Sequence, residues 1–181
     1  MKGKDWEAAI TASCRYYRQE GLARVARHFE PYVQIGHPDK RGCFKARRTG
    51  DAPPDYSGLI YGKPGYSTLF DAKECKGGRW GFGLLKKHQA MDLTAELQGG
   101  VPFLLIRFNG YDGPSGFVSW EQLRPDWWAW FKSGGKNRAS LSPADVRPIP
   151  MVEVKVGRKT LTIPDWLPAA REEGERLYGP R

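Results

Sequence analysis

No stretch of this chain approaches the roughly 20 consecutive apolar residues that a bilayer-crossing helix needs. Its apolar run Val101-Pro102-Phe103-Leu104-Leu105-Ile106 stops at Arg107. The first residues, Met1-Lys2-Gly3-Lys4-Asp5, carry charge where a secretory signal would place apolar side chains, so a cytoplasmic location and no membrane partner are expected. Cysteine is scarce. Cys14, Cys43 and Cys75 form no CxxC pair, and an odd count argues against a disulfide scaffold. Reduced, mostly packed thiols are expected instead. Only three histidines are present, with no His-x-x-His spacing and no catalytic-serine arrangement. Lone His28 and His37 read as solvated or structural. No internal repeat is visible. Acids are also in deficit, 20 against 29 lysines and arginines, for a net charge of +9. That excess favours a polyanionic partner, nucleic acid first; a ribosome-like or membrane-surface protein is the plainer alternative. Aromatics are not lacking: seven Trp, eight Tyr and eight Phe exclude a disordered basic tail.

The periodicities predict a mixed α/β fold with a central sheet. Trp6, Ala9, Ile10, Ser13 and Tyr17 fall on one helical stripe within residues 5–20, and Gly21 can close that helix. Glu7 borders the stripe, where a first-turn acid also suits the helix dipole. A short strand is expected over 22–27. Residues 85–97 read as a helix stopped by Gly99-Gly100. Residues 101–108 read as a buried strand and 116–120 as its partner. A Trp-rich helix is expected over 126–132, with Trp127, Trp128 and Trp130 as core or interface. A hairpin follows over 152–163, then a last helix with Asp165 as its cap.

The stretch from Asp55 to Glu74 carries the chemistry. Pro54-Asp55 heads one apolar run, Tyr56 to Tyr61, and Asp71-Ala72-Lys73-Glu74 ends the next. In a strand, residues i and i+2 share a face. Asp71 and Lys73 then emerge together, with Phe70 and Ala72 on the opposite face. If the two runs pair as a hairpin, Asp55 joins them. Two carboxylates and an ammonium can hold a divalent cation and activate water on a phosphodiester. The plainer reading is a cross-strand ion pair after a Pro-Asp turn.

Residues 34–54 have no clear period and concentrate cations: Lys40, Arg41, Lys45, Arg47 and Arg48, with Phe44 among them. They read either as a solvated basic loop or as a protrusion that tracks phosphates and stacks an aromatic on bases. A second polar, basic loop contains Lys136 and Arg138.

In this order, the residues resemble a known family. Glu7 on the first helix, Pro54-Asp55-Tyr56-x-Gly58, Phe70-Asp71-Ala72-Lys73-Glu74 and His88-Gln89 on the next helix are similar to the RecU-type Holliday junction resolvases. These belong to the PD-(D/E)xK nuclease superfamily. The likeness includes Tyr16-Tyr17, Gly99-Gly100-Val101-x-Phe103 and Gly135-Lys136, and spans about residues 5–150. It implies a restriction-endonuclease-like core: a central mixed β-sheet flanked by helices. It also implies one nuclease domain over 1–181, with a basic stalk-like insertion at about 34–54 and a C-terminal hairpin and helix extension at about 151–181.

The resemblance assigns Asp55, Asp71 and Gln89 to a Mg²⁺ site, with Mn²⁺ as a substitute. Lys73 would orient water and stabilise charge, and Glu7 would reach the metal directly or through water. Lys40, Arg41, Phe44, Lys45, Arg47, Arg48, Lys136 and Arg138 would contact DNA. The partners implied are four-way junction DNA and a second copy of the chain. The sequence departs from the family pattern in three places. Asp71 stands where Glu is usual, Ala52-Pro53-Pro54 replaces a Ser/Thr tract, and the basic segment is shorter. A divergent or phage-encoded member, acting in a bacterial host's cytoplasm, fits these departures. Another PD-(D/E)xK nuclease acting on duplex, or a non-catalytic DNA-binding protein, stays open at this point.

The charge balance predicts that junction affinity falls steeply with salt, because bound Lys and Arg displace counterions from phosphates. A filter-binding titration that stays flat from low to moderate salt would contradict a nucleic-acid partner.

Overall fold

The computed structural model describes residues 3–29, 32–35, 37, 40–41, 43, 45–48, 50–109 and 115–179. The chain opens with α1 (Gly3–Gln19), β1 (Ala23–Arg27), β2 (Tyr32–Ile35) and β3 (Lys45–Arg48). Next come β4 (Tyr56–Ile60), β5 (Tyr66–Lys76), β6 (Trp80–Gly81) and α2 (Lys87–Glu96). They lead to β7 (Gly100–Asn109), β8 (Ser115–Ser119), α3 (Trp120–Lys132) and β9 (Ser140–Leu141). The last elements are β10 (Arg147–Ile149), β11 (Met151–Val156), β12 (Lys159–Pro164) and α4 (Leu167–Tyr178).

Six strands form the central sheet in the order β1-β4-β5-β7-β8-β10. Neighbours pair antiparallel except β5 and β7, which run parallel through the α2 crossover. The periodicities predict a mixed α/β fold with a central sheet, and the sheet is the mixed, helix-flanked one that the resemblance implies.

Strand alternation sorts the side chains into two cores. On one face, Trp6, Ile10 and Tyr17 of α1 and Trp166, Leu167, Ala169 and Ala170 around α4 cover Tyr56, Phe70, Phe103 and Phe117. Those four rings form a row across β4, β5, β7 and β8, with centroids 4.9, 4.5 and 4.7 Å apart. Cross-strand aromatic contacts of this kind fix register as well as burying area. On the other face, α2 and α3 bring Leu93, Trp120 and Trp127 onto Leu104, Ile106, Trp80 and Phe82.

Three local expectations are corrected. The basic segment is not an aperiodic loop: β2 and β3 pair antiparallel, Val33 opposite Arg47. The cations of β3, Lys45, Arg47 and Arg48 with only Ala46 between them, hid this ribbon. The Trp-rich helix begins at Trp120, six residues before the expected start, and carries Pro125 inside it. The proline sits in the second turn, where it has no N–H to donate to the Glu121 carbonyl. Asp165 does not cap the last helix, whose N-cap is Trp166. Its Oδ1 instead accepts a 2.7 Å hydrogen bond from Tyr17 Oη, which ties α1 to the start of α4.

Gly58 explains part of the Pro-Asp-Tyr-x-Gly motif. It pairs with Val25, and a Cβ there would fall on the Arg24 carbonyl oxygen of β1. Gly58→Ala is therefore expected to push β1 off the sheet and cost about 1–3 kcal/mol. Thermal unfolding should register a drop of several degrees; an unchanged midpoint would mean that β1 shifts freely.

Candidate active site

Antiparallel pairing places Tyr56 opposite Phe70, so one further step brings Asp55 across from Asp71. The ladder ends there in a side chain: Asp55 Oδ2 accepts the Ala72 backbone N–H at 3.0 Å. Ala72 and Phe70 belong to the α1 core. Asp71 and Lys73 pair with Leu104 and Ile106, residues of the α2 core, and share their face of the sheet.

Asp71 is completely buried. Lys73 Nζ forms an ion pair with its Oδ2 at 2.6 Å. Both Asp71 oxygens lack any other hydrogen-bond donor. Lys73 also reaches Gln89 Oε1 at 3.4 Å. Gln89 stands in the first turn of α2, and the same oxygen accepts the Lys86 N–H at 3.2 Å. The residue therefore caps its own helix while pointing at the lysine.

Glu7 faces this group across a cavity of about 300 Å³. Asp55, Lys73 and Gln89 line the cavity with Glu7, together with Arg27, His28 and Phe29 from the end of β1 and Lys86 and His88 from the start of α2. The Glu7 carboxylate is ion-paired with Arg27. Its backbone carbonyl accepts from Tyr56 Oη at 3.1 Å.

His28, expected to be solvated or structural, is structural: it clamps the Asp55 segment. Its backbone N–H donates to the Asp55 carbonyl at 2.7 Å. Its Nδ1–H donates to Pro54 O, and its Nε2 accepts from Ser57 Oγ, both at 2.8 Å. His88 does the same from α2, donating Nε2–H to Ala52 O at 2.9 Å. Sequence spacing could not reveal Arg27, His28, Phe29 and Lys86, because each comes from a neighbouring strand end or helix cap.

The basic candidates lie apart from this cavity's lining. Lys40, Arg41 and Arg47 are exposed. Lys45 and Arg48 lie on β3, and Phe44 lies outside the described residues. Lys136 is exposed in the loop after α3. Arg138 is committed to Asp126 at 3.3 Å and Asp145 at 2.5 Å.

Two carboxylates, one amide oxygen and an ammonium make an oxygen-rich set suited to a hard cation. With both acids ionised, Lys73 balances only one of them. Asp71 Oδ1 has no partner and Oδ2 has only the Lys73 ion pair, so a bound ion would add the ligand contact they lack and the residues fit a divalent metal. Among the described residues, no three His, Cys, Asp or Glu side chains cluster as a ready-made cage. The remaining positions would fall to water and substrate.

The same crowding shifts protons. Burial first, then the contact with the Asp71 carboxyl, push Asp55 up to about 8. Lys73 and the Ala72 N–H pull it down, but less. A native acid that keeps its proton to about pH 8 but loses it near pH 4 when unfolded destabilises the fold as pH rises through that window. Metal-free protein should therefore melt lower at about pH 9 than at about pH 5, and Asp55→Asn should flatten that slope. Equal slopes in both proteins, measured by thermal unfolding in chelator, would contradict the shift.

Curated sequences give no match to this chain. Among solved structures, a crystal structure of Archaeoglobus fulgidus Hjc, described as a Holliday junction resolvase from an archaeal hyperthermophile, is similar at 11% identity and a TM-score of 0.44. The likeness covers 81% of this chain and 88% of that one. The sequence profile of RecU, Recombination protein U, matches residues 1–149. That span holds the Asp55–Asp71–Lys73 group, Glu7, Gln89 and every strand of the central sheet. The chain belongs to the RecU family of Holliday junction resolvases.

Proposed function

We propose that this resolvase hydrolyses phosphodiesters of four-way DNA junctions at the cavity below Asp55, with Mg²⁺ held by Asp55 and Asp71. Gln89 Oε1 would join them by giving up its long contact with Lys73. The observation that supports this most is Asp71: a fully buried carboxylate whose two oxygens have no hydrogen-bond donor. Burying such a group with only the Lys73 ammonium against it, and a second carboxyl beside it, is costly, and a hard cation would reduce that cost. When bound, Mg²⁺ supplies positive charge to the phosphate and acidifies a coordinated water.

The chain's own groups have separate tasks. Lys73, pinned between Asp71 and Gln89, offers a fixed charge where negative charge builds at phosphorus. Arg27, held by Glu7, and Lys86, at the mouth of α2, add cations to the wall that meets the DNA backbone. In this arrangement Glu7 acts through Arg27 rather than as a direct ligand. His28 and His88 hold the 52–57 segment so that Asp55 keeps its place.

A four-way junction is nearly twofold symmetric, and separating it requires cuts in two opposed strands. A homodimer with one site per subunit matches that symmetry. The exposed cations of the β2–β3 ribbon, Arg47 above all, would then contact junction phosphates.

Cleavage of a four-way junction and of linear duplex with the same sequence, with and without Mg²⁺, tests this reading. Asp71→Asn should keep junction binding and abolish cutting, because it is nearly isosteric and loses the ligand charge. Lys73→Ala should lose on the order of a hundredfold in rate while keeping most Mg²⁺ affinity. Near-native cutting by Asp71→Asn would remove the metal site. Equal cutting of both substrates by wild type would assign the enzyme to ordinary duplex.

A further inference from the structure

Phe29 is out of place for a packed ring. It is 78% exposed, yet it lines the polar cavity that holds Asp55, Lys73 and Gln89. Among the described residues, no other large exposed hydrophobic side chain borders that cavity. Leu59, Tyr61, Leu84 and Met91 are scattered elsewhere, as single apolar side chains on a surface normally are.

The ring is also held in position. The Arg27 guanidinium sits over it at 5.7 Å, and Arg27 is itself ion-paired with Glu7. The preceding residue, His28, is tied by three hydrogen bonds to the segment that carries Asp55. The aromatic is therefore fixed to the same frame as the carboxylates. It leaves most of its surface open beside cations suited to a phosphate backbone.

We infer that Phe29, with Arg27 behind it, is a stacking platform for a nucleobase next to the scissile phosphate. The inference rests on the cavity being the cleavage centre. Every base has a π-face, so a stacked ring tolerates any sequence but requires a base that has left its neighbours. At the open centre of a four-way junction, bases can be unstacked at less cost than inside a continuous duplex. The platform would therefore favour junctions over duplex at the chemical centre itself, independently of the basic ribbon.

The probe is a four-way junction carrying 2-aminopurine at the exchange point, with a linear duplex carrying it at mid-sequence as control. Binding is measured in Ca²⁺, and cleavage separately in Mg²⁺. Wild type should change the fluorophore's emission in the junction by stacking on it. Phe29→Ala should lose that change and weaken junction binding by about five- to 150-fold, the range for one base–aromatic stack, with duplex binding nearly unaltered. Phe29→Trp should restore both, and Phe29→Leu neither. A Phe29→Ala protein that keeps the junction preference, that weakens both substrates equally, or that is rescued as well by Leu as by Trp would overturn the platform. Wild type without any junction preference would instead overturn the reading of the cavity on which the platform rests.

Discussion

Asp71 sits in the middle of β5 with no solvent exposure, and neither oxygen of its carboxylate meets a hydrogen-bond donor. Much of the site follows from that constraint. A carboxylate left alone at that depth would destabilise the fold by several kcal/mol. Lys73 provides the one opposing charge, two residues along the strand and 2.6 Å away. Asp55 is drawn to the same place by the hairpin register and crowds a second acid against the first. Its raised proton affinity is the visible consequence. The fold tolerates this strain of charge because the opposite face of the same strand is among its best packed regions. Phe70 lies in the aromatic row with Tyr56, Phe103 and Phe117, and Ala72 belongs to the same core.

The two faces of β5 therefore divide the work. One face contributes burial and fixes register; the other carries charge at the mouth of α2. The parallel β5–β7 pairing requires a crossover, and that crossover delivers the first turn of α2 to the charged face. Gln89 and Lys86 arrive by this route. The first helix serves the other wall. Its buried stripe anchors it to the sheet, and Glu7, beside the stripe, holds Arg27 at the end of β1. Packing on one face thus sets the geometry of chemistry on the other.

Much of this was legible in the sequence. A period of two places Asp71 and Lys73 together and separates them from Phe70. The two flanking apolar runs give a hairpin, and the hairpin brings Asp55 within reach. The stripe from Trp6 to Tyr17 identifies the first helix and the side on which Glu7 lies. What escaped has physical reasons. Arg27, His28 and Phe29 acquire meaning only through contacts with residues from 20 residues before them to 29 after, and no periodicity encodes those. In the β2–β3 ribbon Val33 and Ile35 pair with Arg47 and Lys45, so cations stand opposite apolar residues and the pairing leaves no hydrophobic signature in the basic strand. Asp165 looked like a helix cap because Asp often is one, but the Tyr17 hydroxyl competes for it. Arg138 looked like a free cation, and its two acidic partners come from α3 and from the turn before β10.

We propose that buried Asp71 and half-buried Asp55 receive a divalent cation. Calorimetric titration of Mg²⁺ or Mn²⁺ into DNA-free protein, held near pH 8, tests it without relying on turnover. Wild type should show saturable binding, Lys73→Ala little change, and Asp71→Asn or Asp55→Asn loss of binding. Undiminished metal affinity in both Asp variants would contradict it.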